Sequence, residues 1–138
     1  MRPLNTTMFG ISDKKLKSRC VVFERHPRWG PLLRREMGDC VTEVRSLDQC
    51  REILDTCQGC IFILQPSKQS QEAVIDFITD RSPRDGGSRF IVVRENGDAS
   101  LHHLWFECGA CHVVASIRSF EEVIGLVQRH VHTPIAVA

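Results

Sequence analysis

Five short apolar runs constrain this chain more than any other feature. They are Cys20-Val21-Val22-Phe23-Glu24, Cys40-Val41-Thr42-Glu43-Val44, Cys60-Ile61-Phe62-Ile63-Leu64, Arg89-Phe90-Ile91-Val92-Val93 and Cys111-His112-Val113-Val114-Ala115. Each is too short for a helix and too continuously apolar for a strand with one wet face, so each reads as a strand buried on both sides. Between and after them the apolar residues recur at helical spacing: Trp29, Leu32, Leu33 and Met37; Leu47, Cys50, Ile53 and Leu54; Ala73, Val74, Phe77 and Ile78; Leu101, Leu104, Trp105 and Cys108; Val123, Ile124, Val127 and Val131. Five strands alternating with five helices require a parallel sheet covered on both faces, its crossovers right-handed.

Boundary residues agree with this division. Ser46 with Gln49 has the spacing of a capping box at the second helix, and Asp98 is placed to cap the fourth. Gly38, Gly59 and Gly109 fall at helix ends, where a left-handed residue is often required. Pro27 and Pro31 fit in or before the first turn of a helix, where a missing amide hydrogen costs little, and Pro83-Arg84-Asp85-Gly86-Gly87 is a loop. The expected organisation is a polar tail over residues 1–18, one domain over 19–131 and a short tail over 132–138. A chain of 138 residues is long enough for one such core.

Charge and thiol content remove some functions. With 18 Lys+Arg against 17 Asp+Glu the formal charge is +1, which argues against nucleic acid as a partner because backbone binding needs a basic surface. No run approaches the ~20 apolar residues of a membrane span, and no apolar run follows Met1-Arg2-Pro3, so the expectation is a cytoplasmic protein without membrane contact. Seven cysteines, an odd number in a chain without an export signal, are expected to be reduced.

A doubly covered parallel sheet places its natural site at the carboxyl ends of the strands. These exits are Glu24-Arg25-His26, Gln65-Pro66-Ser67, Arg94-Glu95-Asn96 and Ser116-Ile117-Arg118. Together with Val22-Phe23-Glu24-Arg25-His26-Pro27, Ile61-Phe62-Ile63-Leu64-Gln65, Phe90-Ile91-Val92-Val93-Arg94 and Gly109-Ala110-Cys111-His112, their order and spacing resemble the response-regulator receiver domains over about Cys20 to Val131. The resemblance implies a flavodoxin-like (βα)5 three-layer sandwich with a five-stranded parallel sheet in the order 2-1-3-4-5.

Receivers need an acidic pair after the first strand to hold a divalent cation. They also need an aspartate after the third strand as phosphoacceptor, a hydroxyl residue after the fourth and a lysine after the fifth. Carried over position by position, the acidic pair falls on Glu24 and Arg25, the acceptor on Gln65, the hydroxyl residue on Arg94 and the lysine on Ser116. A neutral carboxamide is a poor nucleophile, and two arginines oppose a magnesium ion that wants anionic oxygen ligands. The resemblance therefore implies a degenerate phosphorylation pocket, with Arg94 expected to pair with Glu24 in place of the cation.

Three other uses of these residues compete. Arg25, Arg94 and Arg118 could converge as an anion or nucleotide site, although the chain has no Walker loop and no Gly-x-Gly-x-x-Gly, and a solvated basic rim is the plainer account. Cys57-Gln58-Gly59-Cys60 and Cys108-Gly109-Ala110-Cys111 have zinc or redox spacing, with His102, His103 and His112 near the second pair. In the receiver order, however, the strands starting at Cys60 and Cys111 flank a third and lie about 10 Å apart, so inert buried thiols and no metal are expected. His26 stands beside Glu24, but no activated nucleophile accompanies it, so no catalytic residue is expected.

With the phosphosite lost, a surface remains. In receivers the fourth helix, fifth strand and fifth helix commonly bind a protein partner or a second copy. Here that face is expected to present His102, His103, Trp105, Phe106, Phe120 and Gln128, with the fourth helix apolar over a wide arc. The expectation is a phosphorylation-independent signalling or interaction module, without enzymatic activity and without a cofactor.

Overall fold

A computed structural model describes residues 19–56, 59–81, 87–94 and 101–132. The expectations for the 1–18 tail, Cys57, the loop through Pro83 and Gly86, the exit residues Glu95 and Asn96, the Asp98 cap and residues 133–138 lie outside them. Five strands, β1 (Cys20–Phe23), β2 (Val41–Val44), β3 (Ile61–Leu64), β4 (Arg89–Val93) and β5 (His112–Val114), alternate with five helices. The helices are α1 (Trp29–Met37), α2 (Leu47–Thr56), α3 (Gln71–Arg81), α4 (His102–Cys108) and α5 (Phe120–His132). The sheet is all-parallel in the order β2-β1-β3-β4-β5, a flavodoxin-like arrangement.

Strand alternation sends side chains to two faces, and each face has its own core. Val21, Phe23, Phe62, Leu64, Phe90, Val92 and Val113 meet Cys50 of α2, Val74, Phe77 and Ile78 of α3, and Trp105 of α4. Cys20, Val22, Ile61, Ile63, Ile91, Val93 and Val114 meet Trp29 and Leu33 of α1 and Val123 and Val127 of α5. The first core is centred on Phe62, whose ring lies 5.5 Å from that of Phe90 and 5.8 Å from that of Phe77. Burial on both faces explains why β1 and β3 are apolar at every position.

Local signals hold where they can be tested. The Gln49 amide donates to Ser46 Oγ at 3.2 Å, and Gln49 Oε1 accepts from the Ser46 amide at 3.2 Å, completing the capping box of α2. Gly38 and Gly109 close α1 and α4 with φ of 74° and 130°, a region that costs L side chains energy. Among the described residues, no helix is long and apolar enough to cross a membrane.

Candidate functional site

The strand exits gather along one edge because all five strands point the same way. The Gln65 amide donates to the Phe23 carbonyl at 2.9 Å and the Arg94 amide to the Val114 carbonyl at 2.7 Å, extending the ladders one residue past β3 and β4. This fixes Gln65 beside the end of β1 and Arg94 beside the end of β5.

Glu24 follows β1 and is fully buried, at 0% exposure. Its carboxylate turns toward the start of α1, where Oε2 accepts from the amides of Arg28 at 3.0 Å and Gly30 at 2.9 Å, and Oε1 from that of Trp29 at 3.0 Å. Those amides have no partner within their helix, and the positive end of the helix dipole favours an anion. The expected Glu24–Arg94 ion pair does not form. The carboxylate is already satisfied by three backbone donors, while Nε and Nη1 of Arg94 are shut away from solvent and meet no acceptor.

Two clefts open on either side of Gln65. One, of about 330 Å³, is lined by Phe23, Arg25, Arg45, Gln65, Ser67, Gln69 and Ser70. The other, of about 280 Å³, is lined by Arg28, Trp29, Gln65, Val93, Arg94, Ala115, Ser116 and Ile117. The five positions expected to form one pocket are thus split. Gln65, Arg94 and Ser116 share the second cleft, Arg25 lies in the first, and Glu24 lines neither.

The three arginines considered for an anion are not brought together. Arg25 and Arg94 face different clefts, and Arg118 is exposed outside both, its amide donating to Ser116 Oγ at 3.0 Å. Two arginines that sequence reasoning passed over take their place. Arg45 follows β2 in the first cleft, and Arg28 precedes α1 in the second. The position after Val44 was readable as a fourth arginine at a strand exit, but Arg28 sits between Pro27 and Trp29 and carried only a turn signal. No aspartate or glutamate is among the described residues lining either cleft.

The interface expectation needs a correction at Trp105. Its side chain is only 2% exposed and belongs to the core beneath α4, because the indole faces the sheet with Phe90 and Val113. Phe106 is 42% exposed and Leu104 36% exposed, so one turn of α4 presents both to solvent. His103 and Gln128 are exposed, and the His102 ring meets that of Phe106 edge-on at 5.3 Å. Phe120 is partly buried against Trp29, ring centroids 5.9 Å apart. His26 is exposed.

Among the described residues no group of three or more His, Cys, Asp or Glu gathers as a metal site, and no disulfide joins the described cysteines. Cys57 lies outside those residues. Cys60 is buried at the entrance to β3, Cys108 Sγ donates to the Trp105 carbonyl at 3.2 Å, and Cys111 is exposed, in contrast to the buried thiol expected there. Burial pushes the Cys108 and Cys111 thiols up from their ordinary value and Cys50 up to about 12, away from the thiolate that zinc binding or redox attack requires. His112 pairs with Glu122 of α5.

Compared with protein-family models and with curated proteins, the chain matches none.

Proposed function

We propose that this chain is a receiver-like module that works by binding and not by aspartyl phosphorylation. The observation that carries the reading is the position of Glu24. The one acidic residue at the degenerate pocket is buried and spends both carboxylate oxygens on the amides of α1. A divalent cation needs several oxygen ligands carrying negative charge, and the described residues around Gln65 offer arginines, a carboxamide and hydroxyls. Gln65 stands where the resemblance puts the acceptor, and its carboxamide is not a nucleophile for a phosphoryl donor.

What is left for signalling is a shaped surface. The exposed Leu104 and Phe106 on α4, with His103 beside them and Gln128 on α5, support a contact with a protein partner or a second copy.

An amide NMR titration with magnesium and beryllofluoride, which mimics a phosphorylated aspartate, tests the reading. The expected result is no specific shift at Glu24, Gln65, Arg94 or Ser116. A magnesium-dependent response at those amides would mean that an acceptor exists and the reading is wrong.

A further inference from the structure

Arg94 poses a physical problem that no group among the described residues solves. Nε and Nη1 are both removed from solvent, and neither meets an acceptor. A buried donor without a partner costs about 1–3 kcal/mol, and more when the group is charged, so an arginine held in this way is incomplete. Arg94 is one of the residues lining a cleft of about 280 Å³, which is room for a small ligand.

Beside the apolar Trp29, Val93, Ala115 and Ile117, the other described polar residues lining that cleft can all donate. Ser116 Oγ accepts from the Arg118 amide, which leaves its hydroxyl hydrogen to donate into the cleft. Gln65 contributes a carboxamide, and Arg28 adds a second guanidinium from an exposed position at the rim. No carboxylate among the described lining residues competes for these groups, because Glu24 is turned to the amides of α1. The charged side chains among the cleft's described lining residues, Arg94 and Arg28, are both cations. The neighbouring cleft repeats the pattern with Arg25 and Arg45.

The geometry points to a binding site for a phosphate-type oxyanion in the cleft between Arg94, Ser116, Gln65 and Arg28. A rotation of the guanidinium turns its planar fork toward the cleft, and the anion supplies the acceptors that Nε and Nη1 lack. Ser116 and Gln65 orient the remaining oxygens, and Arg28 closes the open side. The phosphate is held and not transferred: no bond is made or broken, and no divalent cation is needed. This assignment rests on the reading that the exits bind without phosphotransfer, and the two are separable because only phosphotransfer chemistry requires magnesium.

The test is a magnesium-free NMR titration of the full chain with inorganic phosphate and with phenyl phosphate, using chloride at matched ionic strength as control. The expected result is saturable shifts at the Arg94 Nε–H, the Ser116 amide and the Gln65 carboxamide with at least one phosphate probe and not with chloride. Tighter binding of phenyl phosphate would identify a monoester as the preferred source, and tighter binding of inorganic phosphate the free anion; both support the site.

Arg94→Gln should weaken the tighter probe about tenfold to a hundredfold, the worth of a charged hydrogen-bonded pair. If that variant fails to fold, Ser116→Ala and Arg28→Gln, at exposed positions, should each weaken binding severalfold while Arg35→Gln, on the far turn of α1, leaves it unchanged. Shifts that chloride reproduces, no shifts with either probe, or full binding by the cleft variants would overturn the site. A magnesium-dependent beryllofluoride response would overturn the binding-only reading and leave the phosphate result standing.

Discussion

Glu24 shows how a carboxylate at a strand exit can be committed to the fold. At the end of a parallel strand a carboxylate is available to a cation or a substrate, yet here three amides of α1 take it. Removing it leaves three donors unpaired in a buried position, so Glu24→Ala should destabilise the fold by about 2–3 kcal/mol, read as a lower urea midpoint. An unchanged midpoint would mean that water satisfies those amides as well as the carboxylate does. The cysteines differ among themselves for the same kind of reason. Burial pushes the Cys20 thiol far up and Cys50 up to about 12; partial desolvation raises Cys111 as well, but that residue is exposed and open to a reagent. Iodoacetamide at neutral pH should therefore label Cys111 in the native protein before Cys20 or Cys50, whose labelling should track unfolding in a mass-spectrometric time course.

At the scale of the element, α4 divides its apolar residues between two roles. Trp105 fills the core under the helix, whereas Leu104 and Phe106 stand beside it in solvent. The substitutions Trp105→Ala and Phe106→Ser should thus separate cleanly. The first should cost about 3–5 kcal/mol of stability as a large core deletion. The second should change stability by about 1 kcal/mol or less, because the ring is 42% exposed and what it gives up is its edge contact with His102. If α4 joins two copies, Phe106→Ser should also abolish any concentration dependence in sedimentation; a dimer that survives it would move the contact elsewhere. The capping box at α2 and the glycine closures of α1 and α4 were legible because each depends on residues a few positions apart. The burial of Trp105 was not legible, since a helical wheel that places four apolar residues on one arc does not say which of them the supporting sheet covers.

Across the whole molecule, His130 ties the last helix to the entrance of the central strand. It lies on α5, and its Nε2 bonds the carbonyl of Gly59 at the entrance to β3, 71 residues away in sequence. Burial is the main cause that lowers its pKa from the usual 6.5; the nearby Arg89 lowers it further, against the Gly59 carbonyl, which raises it. A histidine whose pKa is lower in the folded state is neutral there while the unfolded chain takes up a proton, so the fold loses stability as pH falls through 6.5 toward the folded value. Urea midpoints measured from about pH 7.5 down to about 5.5, above most carboxylate titrations, should fall in the wild type and fall less in His130→Gln, which keeps a donor for Gly59 and does not titrate. Parallel curves for the two proteins would show that this bond does not carry the pH dependence.

The order of runs from Cys20 to Val131 determined by itself that the sheet is parallel, that helices cover both faces and that Glu24, Gln65, Arg94 and Ser116 share the carboxyl edge. These follow from periodicity and from the handedness of crossovers, which act along the chain. Only the tertiary structure decided which groups meet at that edge. It turned Glu24 to the amides of α1 and left Nε and Nη1 of Arg94 without an acceptor. It also placed Arg28 and Arg45 at the clefts and Arg118 outside them. The physical reason is that a side chain chooses its partner by competition among nearby donors and acceptors, and the winner depends on distances between segments that sequence spacing does not encode.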